Sequence, residues 1–110
     1  MADWVPVADV AAFLQGGDAL GLAVECCGLI LAVFRVNGEY FALDDVCSHE
    51  YSRLSEGEIS DGEVYCPKHG SRFDLRTGEV RGFPATEPVR VYEVKEEGGK
   101  VWVRCNGKAR

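Results

Sequence analysis

A chain of 110 residues has room for one domain with a modest core, and 46% hydrophobic and 27% charged residues are ordinary for a globular protein. A formal net charge of −6, from 18 acidic and 12 basic residues, argues against the basic face that a nucleic-acid binder needs; it suits either encounter with basic patches on partner proteins or simple solubility. No apolar run is long enough to span a membrane, and the N-terminus lacks the basic and apolar pattern of a secretion signal. Five cysteines do not read as a disulfide framework, so a reducing cytoplasm is the expected compartment.

Taken in order, residues 9–15 read as one short helix, with Asp9 as N-cap and Gly16 or Gly17 ending it. Cys26 and Cys27 lie side by side in a strand-like run, so they should point to opposite faces and serve as small packing residues. Residues 29–36 and 39–43 form a hairpin across Asn37-Gly38, a pair suited to a type I′ turn with two positive φ angles. Residues 44–85 are rich in Gly, Ser, Asp and charge, with no long apolar run; such a segment is expected to depend on something other than its own apolar burial, and metal ligation is the obvious candidate. Within it Asp61-Gly62 marks a further hairpin. Residues 89–95 and 100–105 pair through Glu-Glu-Gly-Gly, with Val89, Val91 and Glu93 on one face and Arg90, Tyr92 and Val94 on the other. Cys105 has no partner nearby in sequence.

The chemistry-bearing residues are Cys47-Ser48-His49 and, after sixteen intervening residues, Cys66-Pro67-Lys68-His69. Both histidines of the chain fall in this pattern, and each half supplies one Cys and one His. Two segments approaching one metal site from opposite sides is the natural arrangement. Structural zinc also takes two Cys and two His, but the common finger puts both Cys first and both His on a following helix. A Cys–His nucleophilic pair would leave two ligand-type residues unexplained. An iron–sulfur centre with mixed ligands accounts for all four.

The spacing C-x-H, then C-x-x-H, resembles the Rieske signature, and residues 66–80, CPKHGSRFDLRTGEV, closely resemble the second cluster-binding stretch of Rieske-type ferredoxins that serve bacterial aromatic ring-hydroxylating dioxygenases. The resemblance is strongest over residues 44–85 and weaker across the rest; the chain has no room for the catalytic domain of a terminal oxygenase. It implies that Cys47 and Cys66 bind one iron of a [2Fe–2S] cluster and that His49 and His69 bind the other. With two ferric ions, two sulfides and two thiolates the oxidised cluster is neutral and the reduced one carries a single negative charge. Imidazole donors raise the potential of their iron, which is where the added electron should reside.

High-potential relatives carry two further cysteines, at positions that are Ser52 and Lys68 here, so their disulfide is absent. Of the serine and tyrosine hydroxyls that bond cluster sulfurs in those relatives, Ser71 matches the first, while Phe73 stands at the second and has none. Fewer donors stabilise the reduced cluster less, which implies a potential near the low end of the Rieske range, about −150 mV. Gly70 is expected to let the backbone pass close to the cluster; residues 81–85, with Phe83 and Pro84, resemble the stretch that shields it, or else return the chain to the β-core as a plain linker. Tyr51 and Lys68 flank ligand histidines and are candidates for a docking surface.

The resemblance therefore implies an all-β fold, a Rieske-type antiparallel β-sandwich of residues 1–43 and 86–110 with an inserted cluster-binding subdomain at 44–85. It implies a monomeric one-electron carrier between a flavin-dependent ferredoxin reductase and a terminal Rieske oxygenase, forming transient complexes and performing no substrate chemistry. A Rieske-like small subunit of an assimilatory nitrite reductase and a housekeeping or redox-sensing Rieske protein are the alternatives, with a zinc-bound interaction module behind them.

Overall fold

The computed structural model describes residues 4–14, 20–26, 28–45, 53–67, 71–82 and 88–104. They form ten strands: β1 (Trp4–Asp9), β2 (Leu20–Cys26), β3 (Leu29–Val36), β4 (Glu39–Asp44), β5 (Ile59–Ser60), β6 (Glu63–Tyr65), β7 (Arg72–Asp74), β8 (Val80–Gly82), β9 (Val91–Glu97) and β10 (Lys100–Arg104). One helical turn, α1 (Ala11–Leu14), follows β1, and a single 3₁₀ turn covers Leu54–Glu56. The strands make two antiparallel sheets, a six-stranded one in the order β1-β10-β9-β4-β3-β2 and a four-stranded one in the order β5-β6-β7-β8.

Local turn chemistry sets the hairpins. Asn37 and Gly38 take φ of 54° and 82° between β3 and β4, and Asp61 and Gly62 take 53° and 75° between β5 and β6. Gly98 and Gly99, at 63° and 80°, join β9 to β10. Each is a two-residue turn whose positive φ angles match the twist of the flanking strands. The last hairpin begins two residues later than the sequence suggests and runs to Glu97, with the faces assigned as expected: Tyr92 is buried on one side, and Val89 and Val91 meet a different core on the other.

The six-stranded sheet folds over on itself. Its halves, β1-β10-β9 and β4-β3-β2, pair through a short ladder of Ala42–Tyr92 and Leu43–Val91 between β4 and β9. Between the halves lies a core of Phe13, Val24, Cys26, Leu31, Val33, Ala42, Tyr92, Val101 and Val103. This is the sandwich. Cys26 is one of its packing residues, and burial pushes its thiol pKa up, which keeps it protonated. β3 is buried on both faces: Ala32 and Phe34 turn away from the sandwich into a second core, with Leu43, Leu54, Val64, Cys66, Phe73, Leu75 and Val89.

That second core corrects one expectation. Leu54, Val64, Phe73 and Leu75 all come from the stretch expected to depend on something other than its own apolar burial, and each is 0–2% exposed. They are single apolar positions that find partners on the base sheet, so no long run announces them. The helix start is also different. Asp9 ends β1 and its carboxylate takes the Lys100 ammonium at 2.9 Å, so it does not cap α1. Cys27, Gly16, Gly17 and Cys105 lie outside the described residues.

Candidate metal centre

Among the four candidate ligands, Cys66 is described; Cys47, His49 and His69 lie outside the described residues, as do Ser52, Tyr51, Lys68, Gly70, Phe83 and Pro84. What the structure supplies is the frame from which both ligand-bearing segments depart.

β6 and β7 pair through Val64–Phe73 and Tyr65–Arg72. The ladder gains one more rung, since the Cys66 N–H donates to the Ser71 carbonyl at 2.7 Å. Residues 67–70, with His69 among them, thus lie between two bonded ends. Cys66 is 2% exposed and Ser71 is fully buried. Arg72 braces this hairpin, with one guanidinium nitrogen 3.1 Å from Glu63 and another donating to the Arg81 carbonyl at 2.7 Å. β8 contains Arg81 and Gly82, so the first two residues of the expected shielding stretch are strand.

The other segment is closed in the same way. The Leu54 N–H donates to the Asp45 carbonyl at 2.6 Å, and residues 46–52, which carry Cys47 and His49, lie between. Asp45 follows β4 directly, and Asp44 before it is fixed to the far side of the sandwich: its carboxylate accepts the Tyr92 hydroxyl at 2.7 Å and the Arg90 N–H at 3.3 Å. Burial, and then this bond, push the Tyr92 pKa up to about 12. Leu54 and Cys66 sit in one buried cluster with Phe73, so both closures rest on a common platform.

A latch on the opposite side holds the two sheets together. Arg76, in the turn after β7, makes a bidentate pair with Glu39 of β4 at 2.8 and 3.0 Å, and its guanidinium lies 5.1 Å from the Phe41 ring centroid. The Arg76 hydrogen bond holds the Glu39 carboxyl below its ordinary value. The turn itself is built on Asp74, whose Oδ1 accepts the N–H groups of Arg76 at 2.8 Å and Thr77 at 3.1 Å. Gly78 is required here: its φ is +77° and a Cβ would run into the Val89 carbonyl. The latch and the buried Asp45 escaped the sequence reading, because an acidic residue after a strand and an arginine in a turn look like solvated surface.

The donor set of two thiols and two imidazoles, carried on two segments whose ends are pinned to one platform, fits a [2Fe–2S] cluster held by Cys and His. The model of the Rieske [2Fe–2S] domain matches residues 3–93. The chain belongs to the Rieske [2Fe–2S] domain family. The cofactor of this Rieske domain is accordingly a Rieske-type [2Fe–2S] cluster. The Rieske chain is 42% identical to the anthranilate 1,2-dioxygenase ferredoxin subunit of Burkholderia cepacia, over 94% of its own length and 93% of that protein. Its fold is similar to the ferredoxin of carbazole 1,9a-dioxygenase from Nocardioides aromaticivorans IC177, with a TM-score of 0.85, 30% identity and coverage of 93% and 97% of the two chains. It is also similar, with a TM-score of 0.81 and 33% identity over 91% of each chain, to a chain in the complex of reduced oxygenase and oxidized ferredoxin in carbazole 1,9a-dioxygenase. The all-β Rieske architecture expected from the sequence is thereby established. Among the described residues, no helix is long and apolar enough to cross a membrane.

Proposed function

We propose that this chain is the ferredoxin component of an aromatic-ring dioxygenase system: a one-electron carrier that takes electrons from a flavin-dependent ferredoxin reductase and passes them to a terminal Rieske non-haem iron oxygenase. The observation that carries this reading is the end-to-end likeness to ferredoxin subunits, 94% of this chain against 93% of the anthranilate dioxygenase subunit. The same likeness favours the dioxygenase role over a nitrite reductase subunit or a housekeeping or redox-sensing Rieske protein.

In this reading residues 1–110 are a single Rieske domain in which 44–85 is the cluster-binding subdomain. Cys47 and Cys66 hold one iron and His49 and His69 the other. When bound, the cluster supplies a one-electron couple. The chain's own residues do the rest. The Cys66–Ser71 and Asp45–Leu54 bonds fix the ends of the ligand-bearing segments, and the packed ring of Phe73 keeps water from the Cys66 side. No substrate chemistry takes place on this chain, so it is not an enzyme. It works as a cytoplasmic monomer in transient complexes, where a small interface lets each partner leave after transfer, and its net charge of −6 favours basic docking faces.

The test is an EPR spectrum of the dithionite-reduced protein with iron and sulfide counted on the same sample. A rhombic S = 1/2 signal of low average g, with about two irons and two sulfides per chain, is the expected result. An EPR-silent protein with stoichiometric zinc would refute the reading.

A further inference from the structure

Asp45 is the one fully buried charged side chain among the described residues. A carboxylate out of water is unfavourable unless it is paired and hydrogen-bonded, so its partners show what the burial achieves. Among the described residues, the side chain's bonds go to the return limb of the segment that Asp45 opens: Oδ1 accepts the Ser55 N–H at 2.8 Å, and Oδ2 meets the Arg53 guanidinium at 3.3 Å. Its backbone carbonyl accepts the Leu54 N–H, while its own N–H donates to Ile30 of β3 at 3.2 Å. Both limbs are seated independently. Leu54 is buried in the shared core, and the Ser55 carbonyl lies against Gly21 of β2, where any Cβ would collide with it or with the Phe34 ring. The departure and return points are therefore one rigid unit on the base sheet, and the seven residues between them, 46–52, include Cys47 and His49.

We infer that Asp45 is a positioning residue for the metal centre, its buried carboxylate clamping the two ends of the Cys47–His49 segment so that half of the ligand set is preorganised before iron arrives. This rests on the reading that Cys47 and His49 are ligands. A segment whose ends are already fixed loses less conformational freedom on binding metal, and groups that orient ligands without touching the metal govern how tightly it is kept.

The test compares Asp45→Ala and Asp45→Asn with Val103→Ala, a cavity in the other core, fully buried and remote from the ligand segments. Iron release to a chelator is timed for each protein at an equal interval below its own unfolding temperature, and EPR spectra of the reduced forms are recorded. A hydrogen bond to a charged group is worth about tenfold or more in an equilibrium constant. Asp45→Ala should therefore release iron about tenfold faster than Val103→Ala, with a broadened spread of g values. Asp45→Asn should fall between Asp45→Ala and the wild type, because its amide oxygen still accepts the Ser55 N–H. Equal release from Asp45→Ala and Val103→Ala would make Asp45 a plain stability residue and overturn the inference. Should Asp45→Ala not fold, Asp45→Asn decides: release at the wild-type rate overturns, faster release with an altered EPR signal supports. Failure of the underlying reading is seen separately, in a wild-type protein without the rhombic signal, and it would remove this inference with it.

Discussion

Removing the Tyr92 hydroxyl, by Tyr92→Phe, deletes a bond that spans 48 residues and ties β9 to the end of β4, where the chain departs for its first pair of candidate ligands. Tyr92 is 6% exposed, so the ring stays packed, and what is lost is the O–H···O bond to Asp44 together with the hydroxyl's contact with the Arg90 side chain. Hydrogen bonds to charged groups contribute about 1.5–3 kcal/mol. Asp44 keeps its Arg90 N–H and part of its solvent, so the estimate is about 2 kcal/mol, or roughly 8 °C in Tm for a domain of this size. The bond also has a pH signature. Tyrosine in the unfolded chain ionises near pH 10, whereas in the fold the value is pushed up to about 12. The folded protein thus holds this proton more tightly, and the contribution is whole below pH 10 and lost as pH rises towards 12. At pH 11 about 1.4 kcal/mol of it is gone. Scans of wild type and Tyr92→Phe at one heating rate between pH 7 and 11 should show a constant gap up to about pH 9 that narrows by more than half at pH 11. A gap below 2 °C at pH 8, or one that stays constant to pH 11, would refute the reasoning.

Gly78→Ala meets both a left-handed φ and the Val89 carbonyl, and should destabilise by about 3 kcal/mol or more; a Tm within 2 °C of wild type would show that the turn can yield. Voltammetry should find the wild-type potential near the low end of the Rieske range, about −150 mV, and a value above about +100 mV would contradict it. In Phe73→Tyr a hydroxyl reaching a cluster sulfur and favouring the reduced form by about 1 kcal/mol raises the potential by about 40 mV; no shift would mean that it reaches no sulfur. Burial pulls the Asp74 carboxyl pKa up, but the N–H groups of Arg76 and Thr77 and the Arg81 guanidinium outweigh it and hold the group below its ordinary value. Its contribution is therefore full above the ordinary carboxylate range and is lost as pH falls through the lower folded value. Asp74→Asn should cost about 1 kcal/mol at pH 7, and its Tm gap from wild type should vanish in strong acid; an undiminished gap there would contradict the assignment.

The turns and the base sheet were legible because their causes are local. Asn37-Gly38, Asp61-Gly62 and Gly98-Gly99 each carry the positive φ their hairpins need, and period-two spacing put Val89 and Val91 on one face of their stretch and Tyr92 and Val94 on the other. Asp9 was misread because its partner, Lys100, is 91 residues away, and an acidic residue before a helical stretch looks like a cap whenever that partner is unseen. Leu54, Val64, Phe73 and Leu75 were missed for a related reason: they complete a core whose other half lies on β3 and β4. At the site, residue type and spacing named four candidate ligands, of which the structure describes Cys66, and it adds the burial of that residue and the two closures. The closure at Asp45 was not legible, since nothing in Leu43-Asp44-Asp45 tells which acid faces Tyr92 and which is sealed beneath Arg53.

The shared core also fixes what can be moved between proteins. Cut out on its own, the stretch from Leu54 to Gly82 would turn Leu54, Val64, Phe73 and Leu75 to water, because Ala32, Phe34, Leu43 and Val89 stay behind on the base. A graft that copies only the Cys–His motifs into another scaffold inherits neither the floor under Cys66 nor the seat under Ser55. A transplantable unit must therefore carry, with the four-stranded sheet and the stretch that leads into it, the base residues that complete this core on β3, β4 and at Val89, and the Gly21 seat on β2.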